Sequence, residues 1–264
     1  MPALPQAPQQ FVDSTDGVRI AVYEEGNREG PTVVLVHGFP DSHVLWDGVV
    51  PLLADFRVIR YDNRGVGLSS VPKPVSAYTM ARFADDFAAV IGELSPGRPV
   101  HVLGHDWGSV GVWEYLKRPG ASDRVASFTS VSGPSQDQLV DYIFSGLRRP
   151  WRPRRFARSV SQALRLTYVA LFSIPVLAPL FLRLTLSIPA LRRNAVDNIP
   201  ADQIHHSASL ARDAARSVKT YPANFFRSFS GRGRAVHIVD VPVQLIVNTQ
   251  DKYVRPYGYD ETSS

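Results

Sequence analysis

The chain contains no cysteine, so disulfide frameworks and thiolate metal sites are excluded, and a reducing, cytoplasmic setting is expected. The opening residues, MPALPQAPQQ, have neither the basic nor the apolar region of a secretory signal. No Gly-x-Gly-x-x-Gly follows the first strand-like segment, and no cofactor or metal is expected in these 264 residues. Acid is missing too, but locally. From Tyr142 to Val196 there is no Asp or Glu, while ten arginines run from Arg148 to Arg193. That segment therefore carries +10 against a net charge of +5 for the whole chain. Its arginines are not interleaved with a recognisable nucleic-acid motif, so no nucleic-acid partner is expected. Finally, all seven histidines precede Asp251.

What is present alternates between strand and helix. Val18–Tyr23 alternates apolar and polar residues like an outer strand, and Thr32–Val36 is a continuous apolar run suited to a strand covered on both faces. Val44–Leu53 looks helical, and Arg57–Tyr61 is another strand. The segment Thr79–Leu94 has Met80, Phe83, Phe87, Val90, Ile91 and Leu94 at helical spacing, with Pro96-Gly97 beyond its end. Val100–Leu103 is a short buried strand, Trp113–Leu116 belongs to the helix after it, and Val125–Val131 is the next strand. This rhythm predicts an α/β fold with a mostly parallel sheet and helices on both faces. It stops at Ser132-Gly133-Pro134. About a hundred residues of helical, Arg-rich, Pro-punctuated sequence follow before Val243–Val247 restores a buried strand. An excursion of that kind between two strands is the pattern of a cap. The expected division is a core over 11–133, a helical cap over 134–236 and a second core segment over 237–264, with Ser230–Arg234 (SGRGR) as a flexible return.

The chemistry concentrates in Gly104-His105-Asp106-Trp107-Gly108, between the strand Val100–Leu103 and a helix. Glycines flanking one reactive residue permit the sharp strand-to-helix turn that lifts a side chain above a sheet. A carboxylate in that position suits attack on an sp³ carbon, giving an alkyl ester. The plainer reading is a tight turn with a helix-capping aspartate, since Asp is a favoured N-cap. Two further motifs weigh against it. His37-Gly38-Phe39-Pro40 closes one buried strand, and Asp62-Asn63-Arg64-Gly65-Val66-Gly67-Leu68-Ser69 follows the next, the latter read as an Asp–Arg brace.

Together, HGFP, D-x-R-G-x-G-x-S and GHDWG, in this order and spacing, resemble the epoxide hydrolases of the α/β-hydrolase superfamily. The resemblance covers about Phe11 to Gly133 and resumes near Val241; the cap matches in character alone. The wording of the core also resembles bipartite mycobacterial-type proteins, in which an epoxide-hydrolase-like half precedes a short-chain dehydrogenase half. The resemblance implies Asp106 as nucleophile and Asp251 as the acid that orients a catalytic histidine. It implies an oxyanion hole from the N–H groups of Phe39 and Trp107, with His37, Gly38, Pro40 and His105 as supporting motif residues. The histidine should follow Asp251, yet only thirteen residues remain and none is histidine. The expectation is a fragment lacking its last strand, closing helix and base, inactive by itself, with a fused dehydrogenase domain beyond residue 264.

The family also uses two cap tyrosines to hydrogen-bond the epoxide oxygen, the second in an N-W-Y-R-like stretch. Here that stretch is Asn224-Phe225-Phe226-Arg227, so Tyr221 is taken for the second tyrosine and Tyr168 or Tyr142 for the first. Two other readings stay open. A haloalkane dehalogenase shares the Asp nucleophile and the following tryptophan, and a non-catalytic binding module keeps the fold without turnover. The uncharged run Leu166–Leu182, flanked by Arg165 and Arg183, is seventeen residues long and interrupted by Pro175 and Pro179. It is read as pocket-lining helices, or as a cap resting on an anionic lipid surface, rather than a membrane span. Such a cap suits a hydrophobic, lipid-like substrate.

Overall fold

A computed structural model describes residues 7–195, 205–229 and 239–260. Seven strands form one sheet in the order β1-β2-β4-β3-β5-β6-β7. These are β1 (Gln10–Asp13), β2 (Arg19–Gly26), β3 (Thr32–Val36), β4 (Arg57–Tyr61), β5 (Val100–His105), β6 (Val125–Val131) and β7 (Val243–Ile246). Strand β2 pairs antiparallel with both β1 and β4, and the remaining pairings are parallel. Every residue of β3 is buried, as its unbroken apolar run requires of a strand covered on both faces. Helix α1 (Met80–Leu94) buries Phe83, Phe87, Val90, Ile91 and Leu94 along one stripe and packs on α2 (Trp107–Leu116). Between β6 and β7 the chain forms seven helices among the described residues: α3 (Gln136–Leu147), α4 (Pro153–Arg165), α5 (Thr167–Phe172), α6 (Leu177–Ser187), α7 (Pro189–Ala195), α8 (Leu210–Ser217) and α9 (Thr220–Phe229).

Several expectations need correction. Strand β1 precedes the one taken as outermost, and it was missed because four residues with one buried side chain carry almost no periodicity. The helix expected over Val44–Leu53 is two short 3-10 turns, His43–Trp46 and Val50–Leu53; Gly48 and Pro51 interrupt the run between and within them. Strand β7 alternates half-buried and exposed residues instead of being buried, because its far side pairs with no strand among the described residues. The apolar run Leu166–Leu182 breaks between α5 and α6, and the paths on either side of the break differ in direction by 97°. Among the described residues no single helix is long and apolar enough to cross a membrane. The SGRGR segment lies outside the described residues.

Candidate active site

Asp106 joins β5 to α2 with φ 49° and ψ −125°, a conformation disfavoured for any residue with a Cβ. The surroundings hold it there. Its N–H donates to Val131 O at 3.0 Å, and its carbonyl accepts from Val110 N at 3.1 Å. The flanking glycine is required by contact: a Cβ on Gly108 would meet His37 O at 2.4 Å and Val36 O at 2.5 Å. The turn presents the Asp106 carboxylate to Phe39, whose N–H donates to Oδ2 at 2.9 Å, while the Trp107 N–H donates as well. A Cβ on Gly38 would stand 2.6 Å from both Asp106 Cβ and Oδ2. Burial raises the Asp106 pKa, the charge of Asp251 adds to that, and His105 and the two backbone donors oppose it. Asp106 is thus a recessed carboxylate facing two backbone donors.

The motif residues around it divide into braces and neighbours. His37 is fully buried; its Nδ1–H donates to Gly38 O at 2.8 Å and its Nε2 accepts from Asn63 N at 2.9 Å. Burial pushes its pKa down to about 4, so it is neutral and cross-links two loops. The brace read into the D-x-R motif is two braces. Asp62 accepts from His43 Nδ1 at 2.7 Å and from Tyr23 Oη at 3.1 Å, whereas Arg64 reaches Asp86 at 2.6 Å and Asp16 at 2.9 Å. The two do not pair with each other, since each ties the loop to a different element. Sequence reasoning missed Asp41, the residue after HGFP. Burial lifts its pKa to about 6, and the charge of Asp106 acts in the same direction. Its position next to the motif was the one signal available.

Two of the three candidate tyrosines meet Asp106. Tyr221, at the start of α9, is buried with its ring 5.3 Å from Trp107, 5.1 Å from Phe39 and 5.7 Å from Tyr168. Its hydroxyl accepts from the Trp107 indole N–H and donates to the Tyr168 hydroxyl, and both phenols feel the Asp106 charge. Burial first, and that charge with it, hold both pKa values well above the usual phenol range. Tyr142 is elsewhere: its ring stacks on Tyr257 at 6.1 Å under the Arg155 guanidinium, packed with Leu139 and Ile143. The side chain of Phe226 lies outside the described residues, but Phe225, one turn beyond Tyr221, lines the pocket.

That pocket has a volume of about 340 Å³, with Asp106 and Trp107 on its floor and Leu139, Ile143, Tyr168 and Phe225 among its walls. Asp251 follows β7. Its Oδ1 accepts from Tyr253 N at 2.7 Å and Val254 N at 3.0 Å, so one oxygen holds a turn while the other takes no partner among the described residues. It lies close enough for its charge to act on Asp106. Among the described residues no histidine bonds to it.

A sharp strand-to-helix elbow on a central strand of a mostly parallel sheet, with a run of helices between β6 and β7, defines a class. The chain belongs to the α/β-hydrolase fold family, whose model matches residues 31–264. Within that class it is 78% identical, across its whole length, to "Probable oxidoreductase EphD" of Mycobacterium tuberculosis. The chain spans 45% of that relative's length. "Epoxide hydrolase A" of the same organism is 38% identical over 131 residues, covering 49% of this chain and 40% of that protein. An inhibitor complex of a Bacillus megaterium epoxide hydrolase superposes with a TM-score of 0.73 at 20% identity, covering 95% of this chain and 86% of that one. In sequence and in fold the chain is thus similar to proteins named epoxide hydrolases.

Proposed function

We propose that the protein of which this chain is part opens epoxides to diols through an ester on Asp106. The observation that carries the reading is the pair Tyr168–Tyr221, hydrogen-bonded to each other beside the Asp106 carboxylate. In the first step a carboxylate oxygen of Asp106 forms a bond to an epoxide carbon as the C–O bond breaks. The departing oxygen takes the proton of the Tyr168 hydroxyl, which Tyr221 supports by donating to it. The product is a hydroxyalkyl ester. In the second step water adds to the ester carbonyl, the N–H groups of Phe39 and Trp107 hold the oxyanion, and the diol leaves with one oxygen of Asp106. Asp251, with one oxygen unengaged among the described residues, orients the base for that water, a histidine in the longer protein.

The hydrogen bond from the Trp107 indole favours this reading over halide displacement. A dehalogenase needs that N–H for the leaving halide, and here Tyr221 takes it. The predominantly apolar pocket suits a hydrophobic, lipid-like epoxide. The remaining length of the 78% identical relative, and the word oxidoreductase in that protein's name, fit a fused dehydrogenase half. The test offers the full-length protein an apolar epoxide and the matching alkyl chloride. Diol without halide release is expected; halide release reassigns the chemistry, and turnover of neither substrate leaves a binding module.

A further inference from the structure

Helix α6 is apolar on two sides, and the protein covers one of them. Ala178, Leu182 and Leu186, four residues apart, are buried against Leu210 and Ala214 of α8. Leu177, Leu180, Phe181 and Leu184 form a second stripe at the same helical spacing, and all four face outward. Phe181 is 53% exposed. The stripe continues through Ile174 and Val176 of the turn before the helix and Ile188 after it, all exposed. Val176 is at the tip, 75% exposed and held at φ 68°, which a β-branched residue rarely adopts. A helix with apolar residues all round is normally enclosed, and a patch of this size on a soluble surface marks an interaction site.

The charge around the patch indicates its occupant. Arg183 lies on α6 itself, Arg165 ends α4 just before α5, and Arg193 is exposed on α7. From Tyr142 to Val196 the sequence offers ten arginines and no acid. Apolar side chains projecting from a bent helix pair, in a stretch from Tyr142 to Val196 that carries arginines and no acid, match a membrane interface with anionic headgroups. The 97° bend fits helices lying in the interface rather than crossing it.

We infer that the α5–α6 region of the cap docks on anionic lipid, with the stripe from Ile174 to Ile188 inserted among the acyl chains and Arg165, Arg183 and Arg193 at the headgroups. This does not depend on the reaction at Asp106. It does bear on substrate access: α5 carries Tyr168 toward the nucleophile, and the same helix presents Leu171 to the outside. An apolar substrate leaving the membrane would meet the cap next to the pocket.

The test is co-sedimentation of the full-length protein with phosphatidylcholine vesicles, with and without phosphatidylglycerol. Binding to the anionic vesicles, weakened by 0.5 M salt (on the order set by screening lengths of a few ångström), is expected. The double variant R183Q/R193Q should weaken it about twenty-five-fold, from roughly fivefold per arginine near an anionic surface. The variant F181S/L184S should release the protein while its circular dichroism stays unchanged. Equal binding to neutral vesicles overturns the proposal. So does a lipid-free protein that binds neither vesicle and shows α6 protected from hydrogen exchange, which would mean that the rest of its own polypeptide covers the stripe. A dimer that F181S/L184S dissociates, without vesicle binding, overturns it in favour of a second copy.

Discussion

Removing the Tyr168 hydroxyl tests the opening step where it is most exposed to error. In Tyr168→Phe the ring keeps its contacts with Phe172, Tyr221 and Tyr253, at 5.6, 5.7 and 4.6 Å, so the fold should survive. What is lost is the proton for the departing oxygen. General-acid catalysis is typically worth 10²–10⁴ in rate, or about 3–5 kcal/mol in the barrier. Tyr221→Phe acts differently, because its hydroxyl accepts from the Trp107 indole and donates to Tyr168. That variant strands a donor, at about 1–3 kcal/mol, and weakens Tyr168 as an acid without removing it. Groups that act as a unit are not additive. The double variant should therefore alkylate scarcely more slowly than Tyr168→Phe alone. Single-turnover stopped-flow fluorescence on the full-length protein separates the steps, with Trp107 beside the nucleophile as reporter. Both phenols are held above the usual phenol range, so alkylation should show no loss of the acid up to about pH 9. If both single variants form the ester at the wild-type rate, or slow only its hydrolysis, the tyrosines are not the acid.

Other consequences follow from contacts around the site. Gly38→Ala should abolish ester formation, because the new methyl would stand 2.6 Å from the Asp106 carboxylate and 2.7 Å from the His105 carbonyl; retained single-turnover activity would contradict the geometry. Asp86→Ala leaves the buried Arg64 guanidinium with Asp16 as its remaining carboxylate partner, and urea denaturation should show a loss of about 3 kcal/mol or more. Asp41 has its pKa lifted from 3.8 to about 6 by burial, so its ionisation opposes folding. The penalty is full above the folded value and is relieved as pH falls through 6 toward 3.8, where the folded state holds the extra proton. The stability difference between Asp41→Asn and wild type should therefore grow by roughly 3 kcal/mol on going from pH 4 to pH 7; a difference that does not change with pH would show that Asp41 is solvated.

The parts of this molecule legible in its sequence are those where one physical demand dominates. The limits of β3 follow from an apolar run because a strand covered on both faces tolerates little else. The elbow at Asp106 shows itself through Gly104 and Gly108, where close backbone approach leaves no room for a side chain. Edges are less legible: β1 and β7 have few buried side chains and hence weak patterns. The helices between β6 and β7 are harder still. Tyr142, Tyr168 and Tyr221 are equivalent as letters, and helix packing decides that two turn toward Asp106 while Tyr142 stacks on Tyr257. Asp41 titrates near 6 only because the fold buries it, and apart from its place beside the HGFP motif the sequence gives no sign of that.

Nucleophilic attack by Asp106 is the claim on which the rest depends. A single turnover of the full-length protein with an epoxide in ¹⁸O-water, followed by mass spectrometry of the peptide carrying Asp106, reads it directly. Ester hydrolysis at the carbonyl carbon must leave one heavy oxygen in the Asp106 carboxylate and none in the first diol released. Label found in the diol, with Asp106 unlabelled, would mean that water attacks the epoxide directly and that no ester forms.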